Sequence, residues 1–360
     1  MKKKSVYVIA EAGVNHNGDM EIAKGLVREG AAAGVNAVKF QTFCPEKLVT
    51  RSAEKAVYQK ENTGNQESQL EMLRKLTLQK KDYLELQELC RECDVDFIST
   101  PFDSDSLHFL TSEMDMPLIK VPSGEITNAP FLLEIAHTQK PVVLSTGMAT
   151  LGEIEKALAV LSFGYVKNEF PKSFQAVQDV YISAEGQEIL RDKVQLLHCT
   201  TQYPAPASQA NLKAMETMAK AFGLPVGYSD HTEGIAIPVA AVAQGAIIIE
   251  KHFTLDKNLP GPDHKASLEP VELKKMVQAI RTVEEAQGSG VKIPAPEEVP
   301  NINITRKSLV ASKNIEAGEA LSLDMLACKR TGRGISPMDI WHVLGKQSER
   351  AYSVDEKIEW

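Results

Sequence analysis

The sequence predicts a (β/α)8 barrel followed by a small C-terminal unit of short strands and tight turns. Eight short β-rich runs alternate with amphipathic stretches over about 250 residues, and near Gly288 this pattern gives way to a different one. Strands that alternate with helices imply parallel pairing and right-handed crossovers. Eight such units suit a closed barrel better than an open doubly wound sheet, and no GxGxxG motif opens the first turn.

The eight strand-like runs follow one another along the first part of the chain. In order they are SVYVIA, NAVKFQ, VDFIST, PLIKVP, PVVLST, KVQLLH, PVGYSD and AIIIEK. The stretches between them, such as MEIAKGLVREGAAAG, carry apolar residues at three- and four-residue spacing and predict helices. Residues 51–71 are polar and predict a loop and helix over the barrel mouth, and residues 162–192 form a long connection that predicts an insertion with local structure.

The segment GSGVKIPAPEEVPNIN predicts a linker, because its Gly, Pro and acidic residues favour an extended chain. We therefore place the barrel at residues 1–287, the linker at 288–300 and a small, mainly irregular and β domain at 301–360. About sixty residues is little for an independent core, so we expect this domain to pack on its own barrel or on a partner's.

Composition excludes several classes of protein. Hydrophobic residues make up 43% and charged residues 24% of the 360 residues, which is typical of a globular protein. The net charge of −8 with no basic stripe argues against nucleic-acid binding. No apolar run approaches the roughly 20 residues that span a membrane, and we expect no signal peptide. Five scattered cysteines predict reduced thiols, and we expect a cytoplasmic location.

Polar side chains recur where the predicted strands end, which is where barrels of this class carry their catalytic groups. In chain order they are Glu11, Asn15, Lys39, Gln41, Thr100, Lys120, Ser123, Glu125, Ser145, Thr146, His198, Thr200, Tyr203, Ser229, Asp230, His231 and His252. The strand interiors, by contrast, are mainly Val, Ile and Leu. This distribution predicts a reaction centre at the barrel mouth.

His231 and His252 follow two consecutive runs, PVGYS and GAIIIE, so their side chains can converge on one divalent metal. Two protein ligands leave positions for water and substrate, which suits Mn2+ or Mg2+ more than structural zinc. Such a metal could polarise an aldehyde. Ser229, Asp230 and Asp263 are polar groups nearby that could take phosphate or sugar hydroxyls. The alternative is that both histidines are structural.

Lys39 and Lys120 come from nearby strands and could act together on a phosphate, with Ser123, Ser145 and Ser229 as hydroxyl donors. Two alternatives stay open. The lysines could form ion pairs with Glu11 or Glu125, or one of them could form the Schiff base of a barrel aldolase. Candidate metal ligands favour metal-polarised chemistry. Glu11, Gln41 and Asp263 could then orient a polyol.

The motifs EAGVNHNGD, KFQTF, ISTPFD, KVPSGE, LSTGM, YSDHTEG, EKHFTLD and PGPDH resemble, in order, those of the sialic acid synthase family. The C-terminal KRTGRGISP is similar to that family's antifreeze-like (SAF) domain. The resemblance implies condensation of phosphoenolpyruvate with N-acetylmannosamine, or a related N-acetylated mannose-type aldose, and water. The products would be N-acetylneuraminate and phosphate, with attack by C3 on the sugar aldehyde and C–O cleavage. The alternative acceptor is 2,4-diacetamido-2,4,6-trideoxy-mannose, which would give N,N'-diacetyllegionaminate.

The resemblance also implies roles for particular residues. His231 and His252 would hold Mn2+ or Mg2+, and Glu125 is a candidate for proton transfer or water activation. Phosphoenolpyruvate would be held by Lys39, Thr100, Lys120, Ser123, Ser145 and Ser229. The sugar would be held by Glu11, Gln41, Asn65, Tyr203 and Asp263. Family members are homodimers whose C-terminal domain covers the partner's barrel, and Arg330 would reach the partner's sugar.

This chain departs from the family pattern in three places. KRTGRG stands where the family often has KRPGNG, Thr201 stands where some relatives have Asn, and residues 162–192 have no obvious counterpart in shorter members. These departures concern substrate preference more than reaction type. The rival functions are a Schiff-base aldolase and a non-catalytic carbohydrate- or ice-binding protein built on the C-terminal unit.

Overall fold

The computed structural model of the chain describes residues 5–64 and 67–359, which fall into two compact units, Met1–Gly288 and Ser289–Trp360. The strands are β1 (Tyr7–Gly13), β2 (Ala37–Thr42), β3 (Asp96–Pro101), β4 (Ile119–Val121), β5 (Val142–Ser145), β6 (Val194–Cys199), β7 (Val226–Asp230), β8 (Ile248–His252), β9 (Ser308–Ala311) and β10 (Leu326–Lys329). The α-helices are α1 (Met20–Ala33), α2 (Pro45–Leu48), α3 (Val57–Thr63), α4 (Gln69–Lys75), α5 (Lys80–Glu92), α6 (Ser104–His108), α7 (Ala129–His137), α8 (Leu151–Val166), α9 (Phe174–Tyr181), α10 (Ala184–Lys193), α11 (Lys213–Phe222), α12 (Ala236–Ala243), α13 (Pro270–Ala286) and α14 (Val299–Thr305).

Strands β1 to β8 form one parallel sheet in the order β3-β2-β1-β8-β7-β6-β5-β4. The two strands at the ends of this order, β3 and β4, lie against each other, so the sheet curves into a nearly closed barrel. The (β/α)8 barrel that the sequence predicts is confirmed. The carboxyl ends of all eight strands therefore open on the same side.

Helix α1 illustrates how the sequence sets the limits of an outer helix. The side chain of Asp19 accepts hydrogen bonds from the N–H groups of Glu21 and Ile22, and Gly34 ends the helix at φ 85°. Between these caps, residues such as Leu26 and Val27 are buried on the face that packs on the barrel. The segment 162–192 is largely helical, in the end of α8, in α9 and in α10.

The inside of the barrel has two layers. The lower layer is aliphatic and consists of Ile9, Ala37, Ile98, Val143, Leu197 and Ile248. Because strand side chains alternate, the residue two positions later on each strand points inward one layer higher. Those residues are Glu11, Lys39, Thr100, Ser145, Cys199 and Glu250, all buried. We call the aliphatic layer the barrel floor, and the polar layer lies directly above it.

The second unit has its own small apolar core, in which Leu309, Ile315, Leu321 and Tyr352 are buried beside the antiparallel pair β9 and β10. The segment predicted as an extended linker differs from that expectation, because a helical turn begins at Pro296 and α14 follows it. Proline suits the first turn of a helix, where no N–H is needed. Within residues 5–64 and 67–359, no helix is long and apolar enough to cross a membrane.

Candidate active site

A cavity of about 380 Å³ opens at the carboxyl ends of the barrel strands; we call it the mouth cavity. It is lined by twelve of the predicted site residues: Glu11, Lys39, Gln41, Thr100, Lys120, Ser123, Ser145, Tyr203, Ser229, His231, His252 and Asp263. A wider depression of about 750 Å³ lies at the amino ends of the strands, around Tyr7, Asn36 and Asp96. Barrels of this class carry their chemistry at the carboxyl ends, so the mouth cavity is the candidate active site.

Four charged side chains form the base of the mouth cavity, and we call them the lysine–carboxylate cluster: Glu11, Lys39, Lys120 and Glu250. The Nζ atom of Lys39 lies 2.5 Å from Oε2 of Glu11 and 3.5 Å from Oε2 of Glu250. The Nζ atom of Lys120 lies 3.2 Å from Oε1 of Glu250. All four are at most 5% exposed. Each lysine is thus neutralised by a carboxylate, as the ion-pair alternative proposed, but the partner of Lys120 is Glu250 and not Glu125.

The two carboxylates of the cluster differ in acidity. Burial raises the pKa of Glu11, and the nearby charge of Lys39 only partly offsets this. Burial alone would also raise the pKa of Glu250, but Lys120 and Lys39 outweigh it and hold the pKa below its usual range. For Lys39, burial would lower the pKa, yet Glu11 and Glu250 together raise it. Glu250 is therefore the carboxylate that stays ionised, and Glu11 is the one that takes up a proton more readily.

His231 and His252 meet at the rim of the cluster, with ring centroids 5.4 Å apart. Nδ1 of His231 lies 2.6 Å from the carbonyl oxygen of Thr200, so Nδ1 carries the proton and Nε2 has a free lone pair. Burial lowers the pKa of His231 to about 4. Burial, together with the neighbouring His231, lowers the pKa of His252 well below its usual value. Both rings are therefore neutral at pH 7, which is the form that binds metals.

These two imidazoles fit a divalent cation with an open coordination sphere. Nδ1 of His252 is buried and finds no hydrogen-bond partner among the residues that the structure describes. Across residues 5–64 and 67–359, no group of three or more His, Cys, Asp or Glu side chains has the spacing of a metal site. The remaining ligands would therefore be water or substrate, which is the pattern of a catalytic rather than a structural ion.

Hydroxyl groups line the side of the cavity next to Lys120. Ser123 Oγ accepts a hydrogen bond from the N–H of Gly147 at 3.0 Å and lies 3.3 Å from Cys199 Sγ. A Cβ atom at Gly147 would lie 2.7 Å from that Oγ and 2.3 Å from Oγ1 of Thr201, so only glycine allows this approach. Ser145 Oγ is buried with no partner among the described residues. These groups suit the oxygens of a bound anion.

A second polar group lies beside Glu11. Nε2 of Gln41 donates to Oε1 of Glu11 at 3.1 Å, and the β1–β2 register shifts between Glu11 and Gly13. Gly13 has φ 53°, and a Cβ atom there would lie 3.2 Å from both of those atoms. Burial, with a smaller contribution from Glu11, raises the pKa of Asp263 to about 7. Asp263 is therefore partly protonated near neutral pH and can donate or accept a hydrogen bond.

The aromatic ring of Tyr203 lies between the ring of His231 and helix α3. The ring of Tyr203 lies 4.2 Å from that of His231 and 5.0 Å from that of Tyr58, measured between centroids. Tyr58 belongs to α3, and Nδ2 of Asn62 in the same helix donates to the carbonyl oxygen of Pro262 at 2.7 Å. Helix α3 and the residue before it, Ala56, thus contribute a wall of the cavity, beside the loop that carries Asp263.

Six of the polar residues predicted at the barrel mouth do not line the mouth cavity: Asn15, Glu125, Thr146, His198, Thr200 and Asp230. Glu125 does not line it; its Oε2 accepts a hydrogen bond from Asn128 at 2.6 Å, so its position gives no support to a role in proton transfer. Asp230 points to the opposite face of β7 and binds Lys251. Arg330 is exposed in the second unit. Asn65 lies outside the described residues.

Glu250 lines the mouth cavity and pairs with both lysines, but no role was predicted for it from the sequence. The signal for such a role was its spacing from His252, because two positions along a strand place two side chains on the same face. Met148 and Cys199 also line the cavity and had no predicted role in it, and Thr201, which was noted as a departure from some relatives, lines it as well.

Residues 26–292 match the NeuB family and residues 306–351 match the SAF domain. The N,N'-diacetyllegionaminic acid synthase of Campylobacter jejuni is 49% identical over 99% of each chain. The synthase of the same name from Legionella pneumophila is 43% identical over 98% of this chain and 93% of its own.

A solved structure agrees with these matches. The N-acetylneuraminic acid synthetase of Leptospira borgpetersenii superposes with a TM-score of 0.68 at 34% identity, over 83% of this chain and 90% of its own. The order of the motifs, the barrel with its C-terminal SAF domain, and near full-length identity above 30% all agree. The chain therefore belongs to the NeuB family, as its resemblance to sialic acid synthases predicts.

Proposed function

We propose that this protein condenses phosphoenolpyruvate with 2,4-diacetamido-2,4,6-trideoxy-mannose and water to give N,N'-diacetyllegionaminate and phosphate. The observation that carries the proposal is the lysine–carboxylate cluster at the base of the mouth cavity, directly beside His231 and His252. A cationic base suits the phosphate and carboxylate of phosphoenolpyruvate. Two neutral imidazoles suit a divalent cation near the aldehyde.

The choice of acceptor has two supports. The Campylobacter and Legionella relatives are both N,N'-diacetyllegionaminic acid synthases. One wall of the mouth cavity is also apolar, with Val14, Phe102 and, from α4 and its end, Met72, Leu73 and Leu76. Such a wall suits the methyl groups of a 6-deoxy sugar with two acetamido substituents better than a chain of hydroxyl groups. N-acetylmannosamine is the second candidate, because the Leptospira relative is an N-acetylneuraminic acid synthetase.

The lysines and hydroxyls would hold the first substrate. Lys39 and Lys120 bind the anionic groups of phosphoenolpyruvate, and Ser123, Ser145, Ser229 and Thr100 complete the site. Oγ1 of Thr100 lies 3.1 Å from Nζ of Lys39, so the ammonium group is held in position from the side. A Schiff base at Lys39 is disfavoured, because its pairing with two carboxylates keeps the amine protonated and therefore not nucleophilic.

The two carboxylates would divide the proton transfers. C3 of phosphoenolpyruvate attacks the aldehyde carbon, and Glu11 delivers a proton to the oxygen that becomes a hydroxyl. Water adds at C2 and gives its proton to Glu250, and the tetrahedral centre then loses phosphate by C–O cleavage. When bound at His231 and His252, Mn2+ or Mg2+ supplies Lewis-acid polarisation of the aldehyde. Gln41, Tyr203 and Asp263 orient the sugar.

We further propose a cytoplasmic homodimer in which the C-terminal domain of one subunit covers the partner's barrel. In the second unit, Met338 is 84% exposed and Trp341 is 80% exposed. Two large apolar side chains at such exposure support a surface that another chain covers. Arg330 of this unit would then complete the partner's sugar site.

Phosphate release tests the proposal. Metal-stripped protein is given phosphoenolpyruvate with and without Mn2+, and with N-acetylmannosamine, its 6-phosphate or 2,4-diacetamido-2,4,6-trideoxy-mannose. We expect release that requires both Mn2+ and the diacetamido sugar. A preference for N-acetylmannosamine would change the proposed acceptor sugar and leave the proposed reaction type unchanged. Trapping of the protein by borohydride with pyruvate, without need of metal, would instead support the aldolase.

A further inference from the structure

Behind the wall of the mouth cavity lies a buried ion pair between Asp230 and Lys251. Nζ of Lys251 donates to Oδ2 of Asp230 at 2.6 Å and also to the carbonyl oxygen of Thr232. Both charged side chains are fully buried. Neither lines the mouth cavity, because each points to the outer face of its strand, toward the helices.

The pair links the two strands that carry the proposed metal ligands. In the β7–β8 ladder, Ser229 lies opposite Glu250, and Asp230 lies opposite Lys251. On β8, Lys251 stands between the two inward-facing residues Glu250 and His252. The ion pair is therefore a cross-strand bond on the outer face, in register with the inward-facing groups of the site.

Asp230 also shapes the backbone that carries His231. Its Oδ1 accepts hydrogen bonds from the N–H of Thr232 at 3.0 Å and from Oγ1 of Thr232 at 2.9 Å. These bonds close a turn around residue 231. In addition, the N–H of Ala205 donates to the carbonyl oxygen of His231 at 2.8 Å. The backbone of His231 is thus held both by the turn and by a bond to a neighbouring loop.

Stability alone is a poor explanation for this arrangement. Apart from this pair, most of the layer between the barrel and its helices is apolar, and polar residues in it such as Thr42 and Ser99 are uncharged. Well-packed apolar residues in place of a buried ion pair often leave a protein equally stable or more stable. What an apolar pair would not supply is a directional bond that sets how β7 and β8 lie against each other and where the turn at Thr232 begins.

We propose that Asp230 and Lys251 are positioning residues that set the separation and orientation of His231 and His252 for a divalent cation. This inference rests on the proposed function. It predicts that removing the pair weakens cation binding even when the fold is intact, because imidazoles without fixed orientation lose affinity for a metal. Loss of groups that orient metal ligands typically costs about 10–100-fold in affinity.

The test compares three variants with the wild type, using isothermal titration of chelator-treated full-length protein with Mn2+. The double variant Asp230→Asn with Lys251→Met removes both charges and leaves no unpaired ion. Thr232→Val removes only the hydroxyl contact and is nearly isosteric. Leu158→Ala, a buried change in α8, controls for loss of stability alone. Circular dichroism and thermal unfolding establish that each variant is folded.

We expect the dissociation constant for Mn2+ to rise at least about tenfold in the double variant and by a smaller factor in Thr232→Val, with no change in Leu158→Ala. Turnover should fall in the double variant while KM for phosphoenolpyruvate changes little. If the double variant binds Mn2+ as tightly as the wild type does, this inference is overturned and the proposed function is unaffected. If the double variant does not fold, unchanged affinity in Thr232→Val overturns it. A wild-type protein that binds no Mn2+ would overturn the proposed metal site and this inference together.

Discussion

Oε1 of Glu250 lies 3.2 Å from Nζ of Lys120, and its other carboxylate oxygen lies 3.5 Å from Nζ of Lys39. One ionised carboxylate thus bridges the two lysines that would receive phosphoenolpyruvate. Glu250 competes with the substrate for these ammonium groups, and it is also the proposed acceptor of a proton from water. Removing its charge should therefore affect binding and turnover in opposite directions.

Glu250→Gln should bind phosphoenolpyruvate about tenfold more tightly and turn over at least about 100-fold more slowly. Binding improves because the lysines no longer share their charge with a carboxylate, and turnover falls because an amide accepts no proton. Calorimetry measures the first effect and single-turnover phosphate release the second. Weaker substrate binding with normal turnover would contradict both assignments.

Lys120→Met should weaken phosphoenolpyruvate binding by about 10–100-fold, because it removes one charge-assisted contact and leaves Glu250 paired with Lys39 alone. The matched control is Lys274→Met, which removes an exposed lysine from α13. Binding is followed by calorimetry with phosphoenolpyruvate and with inorganic phosphate. Equal affinities of the two variants for phosphoenolpyruvate would contradict the proposal that Lys120 binds the anion.

His231→Ala and His252→Ala should each abolish Mn2+ binding at micromolar concentrations and the metal-dependent phosphate release, because each removes one of the two imidazoles that are proposed to hold the cation. The effect should exceed the roughly 10–100-fold loss that follows removal of an orienting group. His108→Ala, at an exposed position of α6, serves as the control. A double histidine variant that still binds Mn2+ as the wild type does would show that the metal lies elsewhere.

Asp263 should make the protein less stable as pH rises from about 4 to about 7. Its pKa is raised to about 7 in the fold, mainly by burial and partly by Glu11, whereas an exposed Asp has a pKa near 4. In this interval the folded state holds a proton that the unfolded state has lost, so stability falls by up to about 1.4 kcal/mol per pH unit. Tyr58 and Tyr203 also face Asp263, but their raised pKa values keep them neutral here.

The control for Asp263 is the variant Asp263→Asn, whose side chain does not titrate. The prediction concerns the difference in stability between the two proteins at each pH, because both proteins also contain buried histidines such as His16 and His231. Their lowered pKa values make the fold less stable as pH falls below about 6.5, which opposes the effect of Asp263. We expect the variant to gain stability relative to the wild type as pH rises from 5 to 7, followed by thermal unfolding. Parallel curves for the two proteins would mean that Asp263 is ionised throughout.

Arg330→Ala should lower kcat/KM for the acceptor sugar by about 100-fold, through loss of a charged contact, and leave KM for phosphoenolpyruvate unchanged. The proposed contact across the dimer has a direct test. Arg330→Ala and His252→Ala subunits, each nearly inactive as homodimers, are co-expressed and purified as mixed dimers. Activity in the mixed dimers indicates that Arg330 acts on the partner's barrel. Normal kinetics of the Arg330→Ala homodimer would contradict the proposed contact between Arg330 and the sugar.

Much of the fold and of the candidate site could be predicted from the sequence, because barrel strands are recognised as apolar runs and their carboxyl ends as the polar residues that follow. The residues whose direction could not be predicted share a physical cause. Adjacent residues such as Asp230 and His231, or Glu250 and Lys251, look equally polar in the sequence but point to opposite faces of a strand. Which face is inward depends on the register with neighbouring strands, and that is fixed by tertiary packing.

The position of Glu125 outside the lining of the mouth cavity has a related reason. This residue ends a short 3-10 turn, Ser123–Glu125, that follows β4 directly. In such a turn the alternation of the strand no longer applies, so the inward direction of Lys120 says nothing about where Glu125 points. The sequence motif KVPSGE carries all of these residues, but the motif does not state which of them faces the substrate.

The barrel floor has a consequence for the traffic of ligands. Ile9, Ile98, Leu197 and their neighbours form a buried apolar layer immediately beneath the lysine–carboxylate cluster. In the proposed reaction, phosphoenolpyruvate would lie next to this layer and the sugar would lie above it. We therefore expect phosphoenolpyruvate to bind before the sugar, and phosphate to leave after the sugar acid.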